Sequence, residues 1–507
     1  MVLFFPHFSH VKLVYVIMLF MNIVIINPPD KNTIVEFPDE KGDSFLEADD
    51  YGYFPPLGAL YVLSYLEKNT TGHNLHFIDC VAEQVDHDAL IERLKIIQPD
   101  VLGMTSFTIS LVDIKMVAEN VKANFPNCHI CLGGHHAISY PNEAAAMPNI
   151  DSIVVGEGEK AFTDLVNCLE KKESIEHILG VYTKESIKRA EEPKKDNRFL
   201  NSVIVNPAYV DDVDTIPIPN RKFIKHIKYS SILGVSSNLA TIISSRGCPY
   251  LCTFCNVPYK KYRARSPKLI ADEIEECLKL GYDEFHFYDD LFNITPKRLI
   301  EICEEFERRE LKITWDFRGR VNSLTKEALA IAKKNGCRLI SFGVETGSDE
   351  GLKVLKKGCN VEKIQNAFRW CRELGIISVA DYMIGLPHER SEADIIKNIQ
   401  FLVDLDPDYA QFNIMTLYPH TEAYDQAVAK GLIEGGRWQK FAMNPTKDFK
   451  VDHWEEYVPM KRLVELHKYA YRKFYFRPRY IFRSAVKTKS PFEFMSKFRG
   501  ALKILRT

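Results

Sequence analysis

Long apolar runs are missing from this chain of 507 residues. Leu13 to Met21 is apolar, but Asn22 interrupts it and Pro28-Pro29 ends the run that follows. Nothing approaches the roughly 18 consecutive apolar residues of a membrane-spanning helix. A signal peptide would have only Lys12 as its charged region, and no small-residue cleavage site follows. Met21 opens a self-sufficient strand, so residues 1–20 read as an upstream start-site extension or an interfacial segment. The twelve cysteines are too dilute for a disulfide-stapled secreted domain, which favours a cytoplasmic location, where close cysteines more often bind metal. Low-complexity repetition is absent, and 46% hydrophobic with 26% charged residues suits large cores. At roughly 150 residues per domain the length allows about three domains, or two when one is a barrel.

Net charge is also nearly absent, at −2. That sum conceals an asymmetry. Met460 to Thr507 holds 14 Lys/Arg against only Glu465 and Glu493, so this segment carries +12 and the preceding 459 residues −14.

What the chain does contain is two successive βα series. In the first, short apolar runs at Ile23 to Ile26, Leu75 to Ile78, Val101 to Met104, His129 to Leu132 and Ile153 to Val155 alternate with helical patterns. Runs without polar alternation suit strands buried on both faces of a parallel sheet. The fold class is α/β, and residues 21–170 read as a doubly wound, Rossmann-type domain. Ligands in such sheets bind beyond the C-terminal strand ends. The candidates there are Thr105, Ser106, Gly133, Gly134, His135, Gly156, Glu157 and Gly158, whose small and hydroxylated types permit close backbone approach and hydrogen bonding. Taken singly, Gly133-Gly134 also fits a tight turn and Gly156-Glu157-Gly158 a helix N-terminus. No G-x-G-x-x-G follows the first strand, which argues against an ordinary NAD domain.

Residues 171–240 read as a linker that can add a hairpin. A second series then offers strands at Thr241 to Ser244, Glu284 to Tyr288, Ile313 to Phe317, Leu339 to Gly343, Ile377 to Met383 and Tyr409 to Ile414, with five helices between them. Six strands are too few for an eightfold barrel, so residues 241–457 are expected to form a partial (β/α)6 barrel with its site at the C-terminal strand ends.

Directly after the first barrel strand stands Cys248-x3-Cys252-x2-Cys255. Three soft thiolates on one loop favour zinc or iron–sulfur. Structural zinc normally takes four protein ligands, and neither a second pair nor a His lies close in sequence. Three ligands leave one position of a [4Fe–4S] cluster open.

The loop, with Phe254 before the third cysteine, resembles the radical S-adenosylmethionine superfamily. The resemblance implies that Cys248, Cys252 and Cys255 ligate the [4Fe–4S] cluster. S-adenosylmethionine would take the fourth iron and be cleaved to a 5′-deoxyadenosyl radical. Glu345, in Ser341 to Ser348, resembles the superfamily's acid that contacts the cofactor, with capping of the next helix as the alternative. Met383-Ile384-Gly385-Leu386-Pro387 resembles its adenine-lining segment, so Gly385 and Pro387 join Phe254 as cofactor-binding candidates, although Asp381 stands near the place of the motif's first glycine. Asp289-Asp290 and Arg318 and Arg320 are expected around the mouth, or else in surface salt bridges. Together with Pro55-Pro56-Leu57-Gly58, Gly133-Gly134-His135-His136 and Gly156-Glu157-Gly158-Glu159, the chain resembles the cobalamin-binding class. Within it the likeness is to the branch of the anaerobic magnesium-protoporphyrin monomethyl ester cyclase and the hopanoid-modifying enzymes. That class implies cobalamin, although the D-x-H-x-x-G motif of a lower axial histidine is absent. It implies C-methylation of a small hydrophobic or lipid-like substrate, or oxidative cyclisation or carbon-skeleton rearrangement of a tetrapyrrole- or lipid-like one, with a reducing partner such as flavodoxin or ferredoxin. A reading from another class is a non-catalytic iron–sulfur scaffold or membrane-docked interaction protein.

The segment 458–507 reads as a basic, aromatic helical tail. It can dock on anionic lipid at the inner membrane face, bind RNA, or pack its aromatics on the barrel. Nucleic acid ranks last. Neither a second cysteine triad near the N-terminus nor an appended RNA-binding barrel is present, as expected of the tRNA methylthiotransferases of that superfamily.

Overall fold

The computed structural model describes residues 20–34, 52–188 and 207–487. The expected extension up to residue 19, the part of the expected linker from residue 189 to 206 and the tail from residue 488 lie outside them.

Five parallel strands, β1 (Asn22–Asn27), β2 (Asn74–Asp79), β3 (Val101–Ser106), β4 (His129–Gly134) and β5 (Ser152–Val154), and an antiparallel edge strand, β6 (Val181–Tyr182), form the first sheet in the order β2-β1-β3-β4-β5-β6. The central strands are apolar because helices cover both faces. Val24, Ile26, Leu102 and Ile130 pack on one side, and Ile23, Ile25, Val101 and Cys131 on the other. The crossing at β1 and β3 makes a switch point at their C-terminal ends, facing the second unit.

The linker expectation for 171–240 needs correction. Ala208 pairs with Gly156, accepting from Glu157 N at 3.0 Å and donating to Val155 O at 2.9 Å. Val213, Ile216, Ile224 and Tyr229 are buried in the first unit's core. Most of the described part of this segment is thus a strap on the first sheet.

The second sheet contains β7 (Leu239–Ile242), β10 (Glu284–Phe287), β11 (Thr314–Gly319), β12 (Cys337–Glu345), β13 (Ile377–Ile384) and β14 (Tyr409–Ile414), all parallel, in the order β14-β13-β12-β11-β10-β7. A two-stranded ribbon of β8 (Ser245–Arg246) and β9 (Arg263–Ala264) follows β7. Each crossover helix starts at a residue whose side chain accepts from the first-turn backbone: Ser266, Thr295, Thr325, Asn360 and Ser391. Phe285, Phe287, Trp315, Phe317 and Phe342 pack under these helices. Alternation turns His286, Tyr288, Asp316 and Arg318 to the barrel lumen.

The partial barrel does not end at residue 457. The helix Met460–Tyr475 lies along β14, with Leu463, Leu466, Ala470, Tyr471 and Phe474 buried in the barrel core. Tyr475 Oη donates to Ala410 O at 2.8 Å and accepts from its N at 3.1 Å, and Tyr471 Oη accepts from Phe412 N at 3.3 Å. These aromatics complete the barrel, as the packing alternative has it. No helix among the described residues is long and apolar enough to cross a membrane.

Candidate cluster and cofactor site

The β8–β9 ribbon closes the cysteine loop at its base. Asp289 sits beneath it, accepting from Ser244 N at 2.6 Å, Ser245 Oγ at 2.9 Å and Ser244 Oγ. Asp290 Oδ2 accepts from Gly247 N at 3.0 Å. Both acids therefore shape the loop, and neither forms a salt bridge among the described residues. Burial pushes Asp289 up to about 6.

Cys248 N bonds Tyr259 O at 2.9 Å, and Cys255 N bonds Cys252 O at 3.1 Å, which folds the triad into one turn. Cys248 and Cys252 are buried and Cys255 partly so. Burial raises the Cys248 and Cys255 thiols, Cys255 to about 11. Cations stand ready to offset this. Arg320 Nη1 donates to Cys252 Sγ at 3.2 Å while its guanidinium stacks 3.8 Å from the Tyr250 ring, and Lys260 Nζ donates to Tyr250 O at 2.6 Å. Positive charge beside thiols favours the thiolate that a metal needs. Among the described residues no trio of His, Cys, Asp or Glu is arranged to hold a single metal ion. The donor set, three soft thiols on one loop among cations, fits an iron–sulfur cluster whose thiolates take separate irons.

Glu345 ends β12 at φ +66°, after a register shift between Gly343 and Glu345. It is buried, and its Oε1 lies 2.9 Å from Lys357 Nζ, which itself sits 5.8 Å from the Phe254 ring centre. Burial pushes Glu345 upward against the pull of Lys357. Glu345 does not cap the next helix; Ser348 does. Gly385, at φ +73°, and Pro387 follow the end of β13, the strand paired with β12. Asn398 joins the two segments. Its Oδ1 accepts from Gly347 N at 2.8 Å, Thr346 Oγ1 at 3.0 Å and Tyr382 Oη, and its Nδ2 donates to Glu389 Oε1 at 2.6 Å. Glu389 Oε2 in turn accepts from Leu386 N at 2.8 Å.

On the first sheet, Ser106 Oγ donates to Gly133 O at 2.5 Å, next to Thr105. Gly134 has φ +94°, and a Cβ there would lie 2.7 Å from Ser106 N. His135 then reaches the cluster loop, its Nε2 3.1 Å from Asn256 O, and stacks on the exposed Phe107 at 6.2 Å. Burial pulls His135 down. Gly156 has φ +107°, and a Cβ would fall 2.1 Å from Ala208 O, so the strap requires this glycine. Glu157, beside Gly158, has both oxygens engaged: Arg246 at 3.1 Å, Arg263 at 2.8 Å and Val210 N at 2.7 Å. It ties the cluster ribbon to the first sheet, so its carboxylate is spent on that contact.

Sequence reading missed Lys357, Asn398 and Glu389. Asn398 had a signal, since it is a polar residue on the apolar stripe of Ile395, Ile399 and Leu402.

The model for the radical SAM superfamily matches residues 242–402, and that for the B12 binding domain residues 45–166. An uncharacterised methyltransferase of Pyrococcus horikoshii is 29% identical over 469 residues, 91% of this chain and 94% of that protein. The anaerobic magnesium-protoporphyrin IX monomethyl ester cyclase of Cereibacter sphaeroides is 31% identical, across 74% of this chain and 60% of that enzyme. The cobalamin-dependent S-adenosylmethionine radical enzyme OxsB, solved with aqua-cobalamin and S-adenosylmethionine, shares the fold at TM-score 0.66 and 18% identity, over 96% of this chain and 71% of that one.

Proposed function

Since the chain is a radical S-adenosylmethionine enzyme carrying a B12-binding domain, we propose that it uses cobalamin to methylate a carbon of an apolar-bodied substrate. The observation that carries this reading is the contact of His135 with Asn256, beside Cys255, which brings the strand ends of the first sheet against the cysteine loop. Cys248, Cys252 and Cys255 would hold the cluster. Phe254, Glu345, Gly385 and Pro387 would hold S-adenosylmethionine, and Thr105, Ser106, Gly133, Gly134 and His135 would face the corrin. When bound, these groups supply one-electron cleavage of the sulfonium and a transferable methyl group.

The chain's own residues supply the setting. Arg320 offsets thiolate charge and its stacking on Tyr250 shields that side of the loop from water. Lys357 orients the Glu345 carboxylate. The Asn398 brace fixes the spacing of the two strand ends. A small acidic reductant such as flavodoxin or ferredoxin would deliver electrons. The basic segment 460–507, in which Tyr469 and Phe482 remain exposed, supports a peripheral contact with anionic membrane as the place where such a substrate is met.

Anaerobic reconstitution tests the reading. Dithionite and S-adenosylmethionine should yield 5′-deoxyadenosine, Cys252→Ala should abolish both cluster and product, and the purified protein should show a corrinoid spectrum. No product from the reconstituted wild type refutes the radical reading. Product without corrinoid refutes cobalamin-dependent methylation and leaves cyclisation, the activity named for the 31% relative.

A further inference from the structure

The lumen beneath the cluster contains several charges that are paired with one another. In the lowest layer His286 pairs with Asp316, and Arg338 reaches Glu284 at 3.2 Å and Asp316 at 3.8 Å. Higher up, Glu345 is paired with Lys357. Between these layers stands Arg318. It is exposed and forms no ion pair among the described residues; its guanidinium lies 4.6 Å from the Tyr288 ring centre.

Its surroundings are aromatic. Tyr288 packs on Phe54 at 5.3 Å and on His286 at 5.1 Å, and Phe54 stacks on His286 at 5.6 Å. Phe54 comes from the first unit, so the platform spans both. Arg318 stands two residues before Arg320, which directly follows the end of β11 in extended conformation, so it lies about 7 Å along the chain from the residue that contacts Cys252. A group held at Arg318 is therefore within a small molecule's length of the cluster loop. The Asp381 carboxylate on β13 accepts from Ser341 Oγ at 2.9 Å.

We propose that the substrate carries an anionic group, a carboxylate or a phosphate, received by Arg318, with its planar or apolar body on the Phe54, His286 and Tyr288 platform. A guanidinium presents a planar fork of donors suited to either anion, and stacking on Tyr288 fixes the plane of that fork. This rests on the radical reading above and adds the chemical class of what enters the lumen.

The test is calorimetric titration of the reconstituted full-length protein with 2-naphthoate and its neutral isostere 2-naphthalenemethanol. The acid should bind about tenfold more tightly than the alcohol. That preference should shrink with salt, vanish in Arg318→Gln and return in part in Arg318→Lys. Tyr288→Leu should weaken both ligands. No binding of the acid, equal binding of acid and alcohol, or a preference that survives Arg318→Gln overturns the proposal. So does a tenfold loss of S-adenosylmethionine affinity in that variant, which would reassign Arg318 to the cofactor. Failure of the wild type to form 5′-deoxyadenosine would defeat the radical reading alone, because the binding comparison does not depend on turnover.

Discussion

Arg320 Nη1 stands 3.2 Å from the sulfur of Cys252, with its guanidinium clamped over Tyr250 at 3.8 Å. A fixed cation donating to a cluster thiolate stabilises the extra negative charge of the reduced state. Arg320→Met should therefore lower the midpoint potential of the reconstituted cluster by about 50 mV, read by a redox titration followed by electron paramagnetic resonance. An unchanged potential would show that the contact lapses once the thiolates are ligated.

Asn398 is the second test. Removing its side chain leaves Gly347 N, Thr346 Oγ1 and Tyr382 Oη without their shared acceptor inside the protein. Asn398→Leu should cost about 3 kcal/mol in urea unfolding. It should also raise the KM for S-adenosylmethionine more than it lowers kcat, because the two loops it braces would line the cofactor.

Glu389 gives a pH dependence with a definite sign. Burial pushes its carboxyl up to about 7, against the backbone donor of Leu386 and the amide of Asn398. The folded state thus keeps a proton that the unfolded chain releases near the ordinary glutamate value. Stability from this group is full below that value and is lost as pH rises through about 7, by on the order of 3 kcal/mol. Thermal unfolding between pH 5 and 8 should show the decline, and Glu389→Gln should flatten it.

Arg263 probes the tie between the two units. It is buried against Glu157 at 2.8 Å and stacks 4.1 Å from the Tyr209 ring. Arg263→Ala leaves the buried Glu157 carboxylate with Arg246 and the Val210 amide but without its second cation, and should cost about 3 kcal/mol. Limited proteolysis should find the strap around Ala208 cut first.

The tail prediction depends on where the barrel ends. Truncation after residue 487 should keep the fold and weaken sedimentation with anionic vesicles. Truncation after residue 459 should yield an unstable chain, since it removes Leu463, Leu466, Tyr471 and Phe474 from the core. Undiminished vesicle binding by the shorter cut would sink the membrane contact.

The strands are legible because each is a short apolar run, and the crossover helices because each carries one apolar face and starts at a capping residue such as Ser266 or Asn360. The cysteine loop was legible from spacing alone. Besides Lys357, Asn398 and Glu389, three things were not. The strap is held through a pairing of Gly156 with Ala208 far along the chain, which leaves no periodic trace. Glu157 sits at a strand end, where an acid looks ready for a ligand, and its partner Arg246 lies 89 residues away. The basic aromatic helix reads identically whether its rings face lipid or a sheet, and only the position of β14 decides for Tyr471 and Phe474.

A sheet that stops at six strands has two open flanks, and an exposed flank is an invitation to polymerise with another copy. Here Tyr471 and Tyr475 occupy peptide groups of Phe412 and Ala410 on one flank, while Arg221 Nη2 donates to Thr241 O at 2.6 Å on the other. Phenols and a guanidinium thus perform the terminating task that two further strands perform in a closed barrel. The chain can leave its barrel open toward the first unit without becoming prone to aggregate.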